Sequence, residues 1–150
     1  MLCASASNAQ SLSAGDSCAI EIAAARYATQ HLFTGRPGRR ALDAQTREGV
    51  ARAPERLAAL SKALGIPAAP RDSVIRCDGN GQCRFRRYDE LLGINIVSVT
   101  DSSADVAVAI DSPSGSKRLG WSVYTQEPML RLVKRNKKWT FLRVLEIRLT

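Results

Sequence analysis

An α+β fold, with N-terminal helices packed on a curved antiparallel sheet, is predicted by two observations. Apolar residues recur at helical spacing as far as Leu64, and from Asp72 onward they recur at a period of two. The strand-like stretches also follow one another without intervening helical ones, which separates α+β from an alternating α/β order. Long antiparallel strands with one apolar face need a cover, and the N-terminal helices are the available one.

Asp16 suits the N-cap of the first helix, and Glu21 follows where the helix dipole favours an acid. Ile20, Ala23, Ala24, Tyr27 and His31 then keep helical spacing until Gly35 and Pro37 end the run. A basic loop, Gly35 to Arg40, leads to a second helical stretch over roughly 41–52, anchored only by Leu42 and Val50. Pro54 suits the first turn of a third helix. Leu57, Leu60 and Leu64 form its apolar stripe, and Gly65, Ile66 and Pro67 stop it.

Val74 to Cys77 and Cys83 to Tyr88 read as a hairpin, because Asp78-Gly79 and Asn80-Gly81 favour tight reversals. Ile94 to Thr100 follows, and then Val106, Val108 and Ile110 alternate with Ala107 and Ala109. Ser112 to Ser116 reads as a loop. Leu119, Trp121 and Val123 share one face of the next strand, which Glu127-Pro128 is expected to break. Met129 to Lys134 leads to a turn at Arg135 to Lys138. Trp139 and Phe141 open a last strand that closes on Leu145, Ile147 and Leu149. The change of apolar register near Leu142 to Leu145 predicts a bulge or a strong bend.

The 150 residues are enough for one domain, assigned to residues 16–150, with residues 1–15 as a signal-peptide remnant or flexible tether. Hydrophobic residues make up 45% and charged residues 24%, which is globular rather than disordered composition. The net charge of +8 favours acidic partners: nucleic acid, anionic polymer or an acidic protein face. No apolar run approaches the roughly 18 residues that would span a bilayer. Ser7-x-Ala9 has the small-residue spacing that a signal peptidase accepts, and Cys3 is alternatively the lipid-bearing cysteine of a lipoprotein. The third reading is an N-terminus with no targeting role.

Four cysteines occur, Cys3, Cys18, Cys77 and Cys83. A hairpin closed between the last two sets Cys77 opposite Cys83 near disulfide reach. Metal ligation is disfavoured, since no second pair stands at zinc spacing and His31 is the lone histidine. A disulfide fits an oxidising compartment, so localisation is read as periplasmic or secreted, with a lipid anchor at Cys3 as one route. Cys18 is left free or paired with Cys3.

The element order, together with the closing segment Leu130-Arg131-Leu132-Val133-Lys134-Arg135-Asn136-Lys137-Lys138-Trp139-Thr140-Phe141-Leu142, resembles the nuclear transport factor 2-like, or cystatin-like, cone fold. The resemblance covers about Asp16 to Thr150. It implies a cone whose interior serves either a small-molecule isomerase or cyclase, or a non-catalytic binding module. Tyr27 stands where enzymes resembling ketosteroid isomerase carry a donor tyrosine, so Tyr27 and His31 are the candidate pocket residues. Asp43 reads as an exposed capping residue. Asp105 and Asp111 read as solvent-facing, opposite Val106, Val108 and Ile110.

His31 sits at a helix end, where a cation is favourable and a structural role is common. Ser114-Gly115-Ser116-Lys117 matches a serine-x-x-lysine pattern without its companion motifs. Arg36, Arg39 and Arg40 form one basic group, and Arg84, Arg86 and Arg87 a second. Arg131, Lys134, Arg135, Lys137, Lys138 and Arg143 form a third on the terminal hairpin. The aromatic residues fall on apolar faces rather than beside these groups, which disfavours nucleic acid as the partner. The reading is therefore an exported binding domain that engages another protein, possessing an acidic face, with a homodimer through the sheet as a further expectation. The alternatives are the cone-interior enzyme and a nucleic-acid or anionic-polymer binder. No catalytic residue, metal or cofactor is indicated.

Overall fold

The computed structural model of the chain describes residues 13–33 and 39–150. The leader, Cys3 and Arg36 lie outside the described residues. Within them the fold is α+β: a six-stranded sheet and a separate two-stranded hairpin, with helix α1 (Ala14–Tyr27) packed on the curved main sheet. The strands of the main sheet are β1 (Arg40–Asp43), β2 (Ala68–Ala69), β5 (Glu90–Val99), β6 (Ser103–Ser116), β7 (Gly120–Arg135) and β8 (Lys138–Leu149). They run in the order β2-β1-β5-β6-β7-β8.

Ser13, not Asp16, caps α1: its hydroxyl oxygen accepts from the Asp16 N–H at 3.0 Å. Asp16 is freed for a longer reach. Its carboxylate accepts from Trp139 Nε1 and Lys134 Nζ, both at 3.2 Å, which ties the start of α1 to the closing hairpin. These donors, Trp139 first, hold the Asp16 carboxyl below its usual value despite partial desolvation. Cys18, Ile20, Ala24, Ala25 and Ala28 are fully buried, and small residues let α1 lie close against the strands. The helix ends in a π-helical turn, Ala28–Leu32.

The helix expected over roughly 41–52 is absent. That segment is β1 followed by a tight loop, in which the Thr46 N–H donates to Val50 O and the Arg52 N–H to Ala44 O. Leu42 and Val50 were too little apolar stripe to hold a helix, and Val50 is 62% exposed. β1 instead pairs in parallel with β2 and β5, so the sheet is mixed rather than wholly antiparallel. Helix α2 (Pro54–Leu64) matches expectation, with Pro54 in its first turn, Leu60 buried and Gly65 left-handed at φ 68°.

Two expected breaks are crossed without interruption. Ser112 to Ser116 continues β6, paired to Gly120–Tyr124, and β7 runs through Pro128. The β6–β7 pairing lapses between Ala107↔Met129 and Ile110↔Gln126, so the missing proline N–H falls where no ladder partner is required. The turn at Asn136 and Lys137 has both residues at positive φ, as a two-residue hairpin needs. Two bulges fall at Leu142 and Leu145, where the change of register was read, because β7 residues 132, 131, 130 and 129 pair with 141, 143, 144 and 146.

One face of the sheet carries Leu92, Ile94, Val106, Val108, Leu130 and Leu132 against α1 and α2. A smaller core, Ala41, Ala69, Val74, Ile75 and Leu91, lies on the other face under helix α3 (Arg71–Val74) and the hairpin of β3 (Ile75–Cys77) and β4 (Cys83–Phe85). Cys77 and Cys83 face each other in that hairpin and are disulfide-bonded; Cys18 is not a free thiol either. Gln82 Oε1 accepts from the Trp121 N–H at 2.6 Å and docks the hairpin tip on β7. Replacing both cysteines with serine is expected to cost about 2 kcal/mol, since the loop closed is short. Urea midpoints of the two proteins would check it; a change near zero would mean the β-turn alone closes the hairpin.

Candidate ligand pocket on the outer face of the sheet

A cavity of about 380 Å³ opens on the sheet face turned away from α1, beside the α3 segment and under the loop that follows β1. Strand alternation builds it. Leu42 joins the helix-side core and Ile110 pairs with Leu92 of that core, so Asp43 and Asp111 point the other way. Thr125 and Glu127 of β7 stand on the same side. The expectation that Asp43 is an exposed cap and Asp111 solvent-facing is overturned: they are 7% and 6% exposed. The strand pattern placed Asp111 on the outer face correctly. What it missed is that the loop after β1 and the α3 segment roof that face.

The buried carboxylates are held individually. Arg71 Nη1 lies 2.5 Å from Asp111 Oδ2, and Thr125 Oγ1 donates to Asp111 Oδ1 at 2.6 Å. Glu127, 6% exposed, takes Arg47 Nη1 at 2.8 Å. Asp43 has the weakest support, a backbone N–H from Gln45 at 3.0 Å and Arg71 at 3.8 Å. Burial therefore raises the Asp43 carboxyl above its usual value, against the pull of the Gln45 N–H and the Arg71 charge. The pocket holds three carboxylates and two guanidiniums, so it suits a ligand group that donates hydrogen bonds or carries positive charge. Asp43 is the carboxyl best placed to exchange a proton there.

That shift has a measurable sign. The folded form holds the Asp43 proton more tightly, so its contribution favours the fold below pH 3.8 and is lost as pH rises through the raised folded value. At neutral pH the ionised, buried carboxylate is a cost. Asp43→Asn keeps the acceptor for Gln45 and is expected to leave neutral-pH stability unchanged or higher, the difference shrinking toward pH 3.8. Urea titrations at pH 7 and pH 4 would show it, and a clear loss at pH 7 would contradict the assignment.

The residues singled out from sequence fall elsewhere. Tyr27 stacks on Phe141 at 3.5 Å and stands 4.7 Å from the His31 ring, on the helix side of the sheet. Neither lines this cavity. Of the basic group, Arg131 forms a two-pronged pair with Asp105, at 2.8 Å for each nitrogen, and that guanidinium holds the Asp105 carboxyl below its usual value. Asp105 is thus paired rather than simply solvent-facing. Lys134 is bound to Asp16 and sits 5.7 Å from the Trp139 ring centre. Arg84, Arg86, Arg135, Lys137 and Lys138 are exposed.

A second group of charges escaped the sequence reading. Glu21 is 5% exposed and receives Arg52 Nη1 at 3.3 Å and Arg56 Nη2 at 2.5 Å. The signal was present: Glu21 stands three residues from Cys18 and three or four from Ala24 and Ala25, on the buried face. Among the described residues no helix is long and apolar enough to cross a membrane, and no three His, Cys, Asp or Glu side chains are grouped so as to hold a metal ion. Comparison with protein-family models, curated proteins and solved structures finds no match for this chain.

Proposed function

We propose that this chain is an exported, non-catalytic interaction domain of the nuclear transport factor 2-like cone type, which docks on another protein through the free edge of its sheet. The observation that carries the reading is β8. Among the described residues it pairs only with β7, and it exposes Leu142, Ile147 and Leu149 at 43%, 49% and 59%. Exposed apolar side chains along an unpaired strand edge are what a protein partner covers. The basic side chains of the same hairpin, Arg135, Lys137 and Lys138, suit a partner with an acidic face. A disulfide among the described residues fits an oxidising compartment. On the helix side, the position beside Tyr27 is taken up by Phe141 and His31, in keeping with a packed rather than a substrate-holding interior.

A photoreactive amino acid at Leu149, introduced in the producing cell, tests the reading. A discrete covalent adduct with one envelope protein, or with a second copy, is expected. Ile147→Asp, at a half-exposed position, should reduce that adduct about tenfold while leaving the thermal transition in place. Adducts spread evenly over many proteins, or unaffected by Ile147→Asp, would overturn it.

A further inference from the structure

The geometry points to a polyanion-binding face on the β3–β4 hairpin, fitted to a linear anionic polysaccharide. The face is separate from the β8 edge and does not depend on it. Arg76 and Arg84 are cross-strand partners, both exposed, on the side of the hairpin opposite Ile75 and Phe85. The ladder runs one step past β4, where the Arg86 N–H donates to Val74 O at 2.7 Å, and Arg86 too is exposed. Arg87 follows, exposed, at φ 64°. Two of these features oppose stability. Like charges directly opposite each other repel, and a left-handed backbone suits glycine better than arginine. Elsewhere Arg40, Arg71 and Arg131 each meet a carboxylate. Among the described residues none of Arg76, Arg84, Arg86 and Arg87 does. Of the neighbouring acids, Asp78 turns its carboxylate to the Asn80 and Gln82 N–H groups, Asp89 accepts from the Arg39 N–H, and Asp72 belongs to α3. An anion lying across the arginines turns the repulsion into affinity.

The shape of the face narrows the partner. Arg76 stands about 5 Å from Arg84 across the hairpin, and Arg86 about 7 Å from Arg84 along it. Those steps suit successive charges on a chain of anionic sugar rings. A folded acidic protein fits less well, because the apolar side chains of the hairpin, Ile75 and Phe85, are packed inward and leave no dry centre for an interface. Nucleic acid would need rings to stack on, and the ring between these arginines, Phe85, lies against the smaller core with Tyr88. The platform is fixed in advance. The Cys77–Cys83 disulfide closes it, and the hydrogen bond from the Trp121 N–H to Gln82 holds its tip beside the β6–β7 turn, where Lys117 and Arg118 are also exposed.

Heparin and alginate are the probes, carrying sulfate esters and carboxylates, with oligothymidylate as the comparison. Calorimetry on the whole chain at pH 7 should show at least one polysaccharide binding more tightly than oligothymidylate, and the tighter of the two identifies the anionic group. Its log K should fall with log salt at a slope of about −3, from ~0.7 per neutralised charge over the four arginines. Arg76→Gln combined with Arg84→Gln should weaken binding about tenfold and bring the slope to about −1.5. The double variant removes a cross-strand repulsion at exposed positions, so its thermal midpoint should stay or rise. Lys62→Gln, at an exposed position of α2, should change binding by less than about twofold. No binding of either polysaccharide, tighter binding of oligothymidylate, an unchanged slope in the double variant, or an equal effect of Lys62→Gln would each overturn the assignment.

Discussion

Glu21→Ala is expected to destabilise the folded chain by about 3–5 kcal/mol, the cost of stranding buried guanidinium charge without its counter-ion. Glu21 and Arg52 have side chains only 6% and 5% exposed, so water replaces the lost partner incompletely. The Arg52 guanidinium is also fastened to the Ile94 carbonyl, which keeps it from swinging outward. The second substitution separates charge from packing. Adding Arg52→Met to Glu21→Ala removes most of the stranded charge and is expected to recover part of the loss. Urea unfolding of the three proteins would read it. A loss below about 1 kcal/mol would mean that the pair behaves like an exposed one.

Leu130→Ala carries the second large effect, about 2–5 kcal/mol. Leu130 is fully buried, lies between Val106 of β6 and Val144 of β8, and touches the same core as α1. Flanking strands paired on both sides leave the backbone little room to collapse into the space vacated. Leu142→Ala, twelve residues on in the same hairpin at 43% exposure, is expected to change stability by no more than about 0.5 kcal/mol. Thermal and urea midpoints that failed to separate the two would contradict the assignment of Leu130 to the core.

The elements that sequence periodicity located are those with a single strong signal. Leu57, Leu60 and Leu64 with Pro54 and Gly65 located α2, and the Leu142–Leu145 change of register located both bulges. Cys77 and Cys83 around two turn dipeptides located the disulfide. Where the signal was weak, partners distant in sequence decided. β1 is a strand because Glu90 to Leu92 lie alongside it, which four residues of local sequence cannot announce. The outer-face pocket was missed for the same reason: alternation gives the face of Asp111, but not whether a loop from residues 44–51 will cover it. Asp111 was read as solvent-facing, and Glu21 only as an acid suited to the helix dipole, because their compensating arginines, Arg71 and Arg52, come from separate elements.

The bond from Asp16 to Trp139 spans 123 positions, and that from Asp16 to Lys134 spans 118. α1 therefore completes its packing only against β7 and β8, more than a hundred residues later. β1 likewise pairs with β2, 26 residues ahead, and with β5, 50 residues ahead. Folding of this chain is expected to be slow and late, with the sheet assembling before α1 docks. A chain emerging from a ribosome or a translocation channel would leave the first turn of α1 without its Trp139 partner until that residue was through.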